Sequence, residues 1–365
     1  MTSTTSDTLA IDGGTPVRSE PFPERPSPPP SDATDPAAAL EAELSLFLGS
    51  NTELIACRDG AAAYALALEV LGITEGEAIV PALAATPAVE AARSAGLILV
   101  PAEVEAESIG LGTRPLARAL SDNTRVIFAS HAFGHPYTAS ELQRVVADRV
   151  PIIEDGSSAL GGEARGRPVG LLGTVAVFAF GPSHLIQGHG AVLTTTDPAL
   201  AARLRDARYR AGLQIAQSDA QIALSCLLTA EDELSVRRQL AWELTFDLRA
   251  MKAVSGMPHS RWVKHGYDCY LVRFRGLMWK RTIEDLLAAL RAEGIPCEPA
   301  LEPSLHRNPD IRATLGDDER LARDAFPVAR RLPDELIALS LHGGMTDREI
   351  ADITAALEKL QAARK

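Results

Sequence analysis

Residues 174–195 read TVAVFAFGPSHLIQGHGAVLTT. Two short, almost wholly apolar runs, 174–180 and 190–195, flank the glycine-rich loop Gly181-Pro182-Ser183-His184-Leu185-Ile186-Gln187-Gly188-His189-Gly190. Apolar runs of this length bounded by glycine and proline read as buried strands. A connection this short suits a hairpin that breaks an otherwise parallel pattern, because parallel neighbours need a longer crossover. Upstream, similar runs recur at 53–57, 77–81, 97–103, 125–130 and 150–154, alternating with helical stretches near 60–72, 86–95, 114–121, 138–148 and 197–209. Strands that are apolar on both faces are what helices covering both sides of a sheet require. The expectation is an α/β large domain over residues 38–245, three layers thick with a mostly parallel sheet.

Downstream, 219–250 reads as one long helix or a helix pair, followed by a strand at 268–274 and a helix at 282–293 that stops at Gly294. The last helix, 346–362, opens on a capping box, Thr346 with Glu349 three residues on. These elements predict a smaller α+β domain over 246–365. Residues 1–37 form an N-terminal extension, with an extended proline-rich stretch at 20–37 and disorder ahead of it.

The net charge of −12 argues against a nucleic-acid surface or a polybasic membrane patch, leaving a small molecule as the expected ligand. Cys57, Cys226, Cys269 and Cys297 are widely spaced and form neither a disulfide framework nor a metal-binding pattern. No apolar run is long enough to span a bilayer and no leader pattern is present, so the expected location is the cytoplasm. Only five of the 36 basic residues are lysine (Lys252, Lys264, Lys280, Lys359 and Lys365), and residues 1–251 contain none.

Open α/β sheets bind ligands at the carboxyl ends of their strands. Three segments fall there. Arg58-Asp59-Gly60-Ala61-Ala62-Ala63 follows a strand and opens a helix, so its backbone N–H groups offer an anion site. Asp155 follows the strand at 150–154, ahead of Gly156-Ser157-Ser158. The third is the 181–190 loop with His184. Their order and spacing, together with Ala10–Arg18, Ile153-Glu154-Asp155, Gly166–Gly170, Phe178–Ser183, Phe326–Ala329 and Leu339–Thr346, resemble the DegT/StrS sugar-aminotransferase family. That resemblance covers nearly the whole chain. It implies the fold-type I architecture of pyridoxal-phosphate (PLP) enzymes and a dimer with active sites at its interface.

In that family an aspartate pairs with the pyridine nitrogen, a helix start and nearby hydroxyls hold the phosphate, an aromatic ring stacks on the cofactor, and a lysine binds the aldehyde. By resemblance Asp155 is the aspartate, Gly60 the glycine of the Ser-Gly-Thr motif, Ser158 the polar residue three positions after the aspartate, and Ser183 the residue before the lysine. Ala61 replaces the threonine of Ser-Gly-Thr, Ala179 a serine, and Leu83, Ala84 or Ala85 the stacking aromatic. Gln214 and Ala216 replace an Asn and an Arg that reach the neighbouring subunit's phosphate. The lysine position is His184.

Imidazole cannot form the imine that amino transfer needs, so ordinary transamination is not expected. Three readings follow. The chain performs dehydratase-type acid–base chemistry with His184 and non-covalent pyridoxamine phosphate (PMP) or PLP. Alternatively Asp155, His184 and His189 act without cofactor. The third reading is a non-catalytic partner of an intact homologue, a heteromer in place of a homodimer. The expected cofactor is therefore PLP or PMP held without a covalent bond, or none.

Overall fold

The computed structural model describes residues 8–49, 51–83, 86–137, 139–147, 149–258, 260–316 and 318–364. The first five strands, β1 (Glu53–Cys57), β2 (Glu77–Pro81), β3 (Ile98–Ala102), β4 (Thr124–Ser130) and β5 (Ile152–Asp155), join β8 (Val175–Ala179) and β9 (Ala191–Thr195) in one sheet ordered β1-β9-β8-β5-β4-β2-β3. The strands from β3 across to β8 pair in parallel, while β9 runs antiparallel to both β8 and β1. The 174–195 hairpin thus exists as expected. The short strands β6 (Glu163–Ala164) and β7 (Arg167–Pro168) lie between β5 and β8 in sequence and pair outside this sheet.

Alternate residues of the central strands serve opposite faces. Val126 and Phe128 of β4 pack in one cluster with α2 (Gly60–Leu71), α3 (Thr86–Ser94) and α6 (Pro198–Arg210). Ile127 and Ala129 pack on the other face against α4 (Thr113–Ala119) and α5 (Ala139–Val146). That second face continues with Ala176 and Phe178 of β8, covered by α1 (Pro36–Leu48) and α7 (Gln217–Leu228). Burial on both faces is the physical reason these strands read as continuous apolar runs.

The 219–250 stretch proves to be a pair: α7 stops at Leu228 and α8 runs Ala230–Leu248. Leu234 of α8 packs with α1 and α7, whereas Leu240, Leu244 and Leu248 enter the core of the smaller lobe. That lobe carries an antiparallel sheet ordered β10 (Val254–Gly256), β12 (Cys269–Phe274), β14 (Leu336–Ser340) and β13 (Cys297–Pro299). The two-residue β11 (Val263–Lys264) pairs with β6. Helices α9 (Ile283–Ala292) and α12 (Asp347–Ala362) cover the small sheet, and α10 (Pro309–Leu315) and α11 (Pro327–Arg331) lie between them in sequence. The capping box of α12 forms as its sequence requires, Thr346 and Glu349 exchanging hydrogen bonds.

Residues 8–19 differ from the expectation of disorder, which for residues 1–7 lies outside the described segment. Leu9 is buried in the small-lobe core. Glu293 accepts the N–H groups of Ala10 and Val17 and bonds Lys359 Nζ at 2.8 Å. Arg18, buried, pairs with Glu349 and Asp352 of α12. Those partners lie more than 270 residues away, so no local pattern announces them. Among the described residues no helix is long and apolar enough to cross a membrane.

Candidate active site

A cavity of about 510 Å³ opens at the carboxyl ends of β4, β5 and β8. Asp155, Ser157, Ser158, Ala179 and His184 line it from the large lobe, with Ala132 and Phe133 after β4 and Asp268, Ala300 and Leu301 from the small lobe. Asp155 ends β5 and is largely buried. Its Oδ1 accepts the Ser157 N–H at 3.1 Å, and the fully buried Tyr64 hydroxyl of α2 donates to it. Burial, then the charge and hydrogen bond of Asp155, push the Tyr64 phenol well above its ordinary range, so it stays a donor.

Directly before it, Glu154 is buried on the opposite face of β5. It accepts N–H groups from Gly170, Leu172 and Gly173 and the Nε2–H of His131 at 2.8 Å. His131 Nδ1 accepts the Tyr137 N–H, which assigns its proton to Nε2. Burial raises the Glu154 carboxyl, but His131 and these backbone donors outweigh it and hold the group below the usual carboxylate range. This clasp ties β5 to β4 and to the loop before β8, fixing the direction in which Asp155 projects.

His184 sits in the hairpin loop and bonds Asp268 through Nδ1, 2.9 Å from Oδ1. With Nδ1–H donated to Asp268, the neutral ring keeps Nε2 as its basic atom. Asp268 reaches it because two glycines let the lobes meet backbone to backbone. Gly266 N–H donates to Gly134 O at 2.7 Å, and a Cβ on Gly134 (φ 87°) would stand 2.4 Å from Tyr267 N. Burial lowers the basicity of His184, but the Asp268 bond and charge, with the charge of Asp155, outweigh it and raise its pKa above the ordinary 6.5. His184 therefore adds stability that is full below pH 6.5 and is lost as pH rises through the folded value. The Asp268→Asn variant leaves burial unopposed by its nearest charge, so an NMR titration is expected to show the His184 midpoint fall from above 6.5 in the wild type to below it. A midpoint unchanged in the variant removes Asp268 from the account.

The loop itself is clamped from behind. Arg25, in the proline-rich segment, donates to the carbonyls of His184 and Leu185 at 2.5 and 2.8 Å. Arg237 of α8 donates to those of Ser183 and Tyr267. Glu233 bridges the two arginines, 3.2 Å from Arg25 and 2.8 Å from Arg237, and also accepts the Gly343 N–H.

Of the residues singled out in the sequence, the structure brings Asp155, Ser158 and His184 together. Gly60 is absent from the cavity lining, though a Cβ on it would stand 2.9 Å from that of Ala179, which lines it. Ser183 is exposed, with Oγ 3.4 Å from Asp268, and is absent from the cavity lining. His189 is exposed on the far part of the loop, so a triad of Asp155, His184 and His189 does not form. His306 is buried, stacked on Phe326 and bonded to Ser304, and burial with the neighbouring Arg330, Arg307 and Arg312 lowers its pKa to about 4.

At the start of α2, where an anion site is expected, the helix carries a side-chain cap. Asp59 caps this helix, its Oδ1 accepting the Ala62 N–H at 2.7 Å and the carboxylate engaging the Ala61 N–H as well. Two of the N–H groups at this helix start thus meet a carboxylate, and that of Gly60 is not one of them. Asp268, the partner of His184, was missed: it stands in no motif and lies 84 residues from His184.

A sheet of this order, with an aspartate at the end of β5 and a hairpin-loop side chain facing it, defines the fold-type I architecture of PLP-dependent aminotransferases. The chain belongs to the DegT/DnrJ/EryC1/StrS aminotransferase family, whose profile it matches over residues 34–358. It is 28% identical to the erythromycin biosynthesis sensory transduction protein EryC1 of Saccharopolyspora erythraea, over 89% of both chains. To the GDP-perosamine synthase of Caulobacter vibrioides it is 26% identical, over 84% of this chain and 85% of that one. In fold it is similar to DesI, solved in the presence of its TDP-sugar product (TM-score 0.86, 21% identity, 98% and 96% coverage). It is also similar to a putative sugar aminotransferase from Streptococcus pneumoniae in its PLP form (TM-score 0.80, 18% identity, 94% and 100% coverage).

Against that background the residues fit PLP poorly. Asp155 offers a partner for a pyridine nitrogen. Among the described residues no lysine lines the cavity, and the side chains at 61 and 179 are methyl groups without a donor. Leu83 lines the wall where an aromatic was sought, while Ala84 and Ala85 lie outside the described residues. The α2 start is occupied by Asp59. Among the described residues lining the cavity, Asp155 offers one anchor and no lysine offers another. Among the described residues no cluster of His, Cys, Asp or Glu could hold a metal ion.

Proposed function

We propose that this chain is an aminotransferase-like enzyme of sugar or natural-product biosynthesis that performs acid–base, elimination-type chemistry in place of amino transfer. The reading favoured is the cofactor-independent one. Its support is the His184–Asp268 pair at the wall of the cavity: an imidazole held by its Nδ1, with Nε2 free to act on a ligand. In neutral form His184 Nε2 takes a proton from a C–H made acidic by a neighbouring carbonyl. The resulting imidazolium, stabilised by Asp268, returns that proton to a leaving hydroxyl or to carbon. Asp268 is a positioning residue here.

Solvent-deuterium exchange into keto sugars and β-hydroxy ketones, followed by proton NMR without added cofactor, tests this reading. The wild type is expected to exchange the proton next to the carbonyl, and His184→Asn to lose about 10²- to 10⁴-fold of that rate. Asp268→Asn keeps part of the rate but moves its pH profile to lower pH. Exchange that requires added PLP or PMP, or that survives His184→Asn, overturns the proposal.

A further inference from the structure

We infer that the small lobe carries a second binding site, remote from the His184 cavity, for a small organic phosphate held by Arg249 and Arg275. A groove of about 1070 Å³ opens where the end of α8, the edge strand β10 and α11 meet. It shares no lining residue with the His184 cavity. Along β12, five residues of nearly extended chain separate Asp268 from Arg273, roughly 17 Å. Alternation along that strand explains how the arginines arrive. Tyr270, Val272 and Phe274 enter the small-lobe core, which leaves Arg273 on the opposite face. Arg275 follows in extended conformation, its N–H donating to Ala253 O at 3.0 Å. Arg249 follows the last residue of α8, and Arg331 ends α11.

Among the described residues, these four guanidinium groups meet one carboxylate in the lining, that of Glu335. Glu335 is already shared, 2.7 Å from Arg273 and 3.3 Å from Arg331. Neither Arg249 nor Arg275 is ion-paired among the described residues, and Arg249 faces only the Phe246 ring, 5.8 Å away. The chain as a whole carries −12, so the groove is a local field of opposite sign. Like charges gathered in one groove repel each other, and a bound anion offsets that repulsion. A planar guanidinium matches two phosphate oxygens at once, which suits it to this ligand. Met251, Met257 and Pro258 give the same groove an apolar wall, so the fitting ligand has a carbon body beside its phosphate.

Phenyl phosphate and inorganic phosphate, titrated into the full chain by calorimetry at constant ionic strength, test this. The wild type is expected to saturate with phenyl phosphate at millimolar concentration or below, and to bind inorganic phosphate several-fold more weakly. Arg249→Gln and Arg275→Gln alter exposed side chains, and each should weaken phenyl phosphate about tenfold by removing a charge-assisted bond. Arg93→Gln, in the His184 cavity, should leave that affinity unchanged. The His184 ring signals should also stay in place in an NMR titration with the same ligand. Absence of saturable binding by the wild type overturns the inference, as does a loss in Arg93→Gln equal to that in Arg275→Gln. Equal affinity for the two anions overturns the assignment of an organic body.

Discussion

A lysine placed at position 184 will not by itself turn this chain into a PLP enzyme. His184→Lys is expected to bind PLP only weakly, whereas His184→Lys combined with Asp59→Ser and Ala61→Thr should bind it about 10²- to 10⁴-fold more tightly. The reason lies at the other end of the ligand. A hydrogen bond to a charged group contributes about 1.5–3 kcal/mol, and the two added hydroxyls supply two such donors while the Asp59 charge is removed. Two such bonds amount to about 3–6 kcal/mol, which is the stated range in affinity. Visible absorbance of the lysine-bound cofactor, titrated in parallel for the two variants, checks it. If the single variant saturates with micromolar PLP, the phosphate site is not closed and the account of Asp59 fails.

The second large effect concerns the clamp behind the loop that bears His184. Arg237→Ala is expected to cost about 3–5 kcal/mol of unfolding free energy, towards the lower figure because Arg25 still faces Glu233. Arg237 is 1% exposed and bonds a carboxylate and two carbonyls from three separate segments. Its removal takes one donor from each of the Ser183 and Tyr267 carbonyls. Those two residues flank His184 and Asp268 in sequence, so the pair that sets the His184 pKa should loosen as well. Denaturant unfolding measures the first consequence and the His184 titration the second. A loss below about 1 kcal/mol with an unchanged titration would show the clamp to be idle.

Much of the architecture was legible because local chemistry dictated it. The buried strands announced themselves by apolar runs, and Thr346 with Glu349 announced α12. The hairpin of β8 and β9 followed from a loop too short for a crossover. The site was legible only where one segment carries it. Asp155 and His184 end or follow strands, and position alone sends them to the cavity. Asp268 does not share that advantage, since its role is created by the contact of Gly134 with Gly266, and neither glycine names the other. His189 shares a loop with His184 and still points elsewhere, because five residues of loop are enough to turn a side chain away. Asp59 was readable as a cap, since an aspartate ahead of a helix accepts its free N–H groups.

Arg25 grips the carbonyls of His184 and Leu185, and the same segment is anchored by Arg18 to α12, 331 residues further on. Synthesis proceeds from the other direction. The strap leaves the ribosome before its Arg18 anchors on α12 are made, so that end of it waits unpaired while the sheet and the hairpin are synthesised. The loop bearing His184 can fold early, but the strap that grips it gains its Arg18 anchor only after residues 349 and 352 have been made. Slow docking of the strap is expected to appear as a late refolding phase in which His184 acquires its native environment.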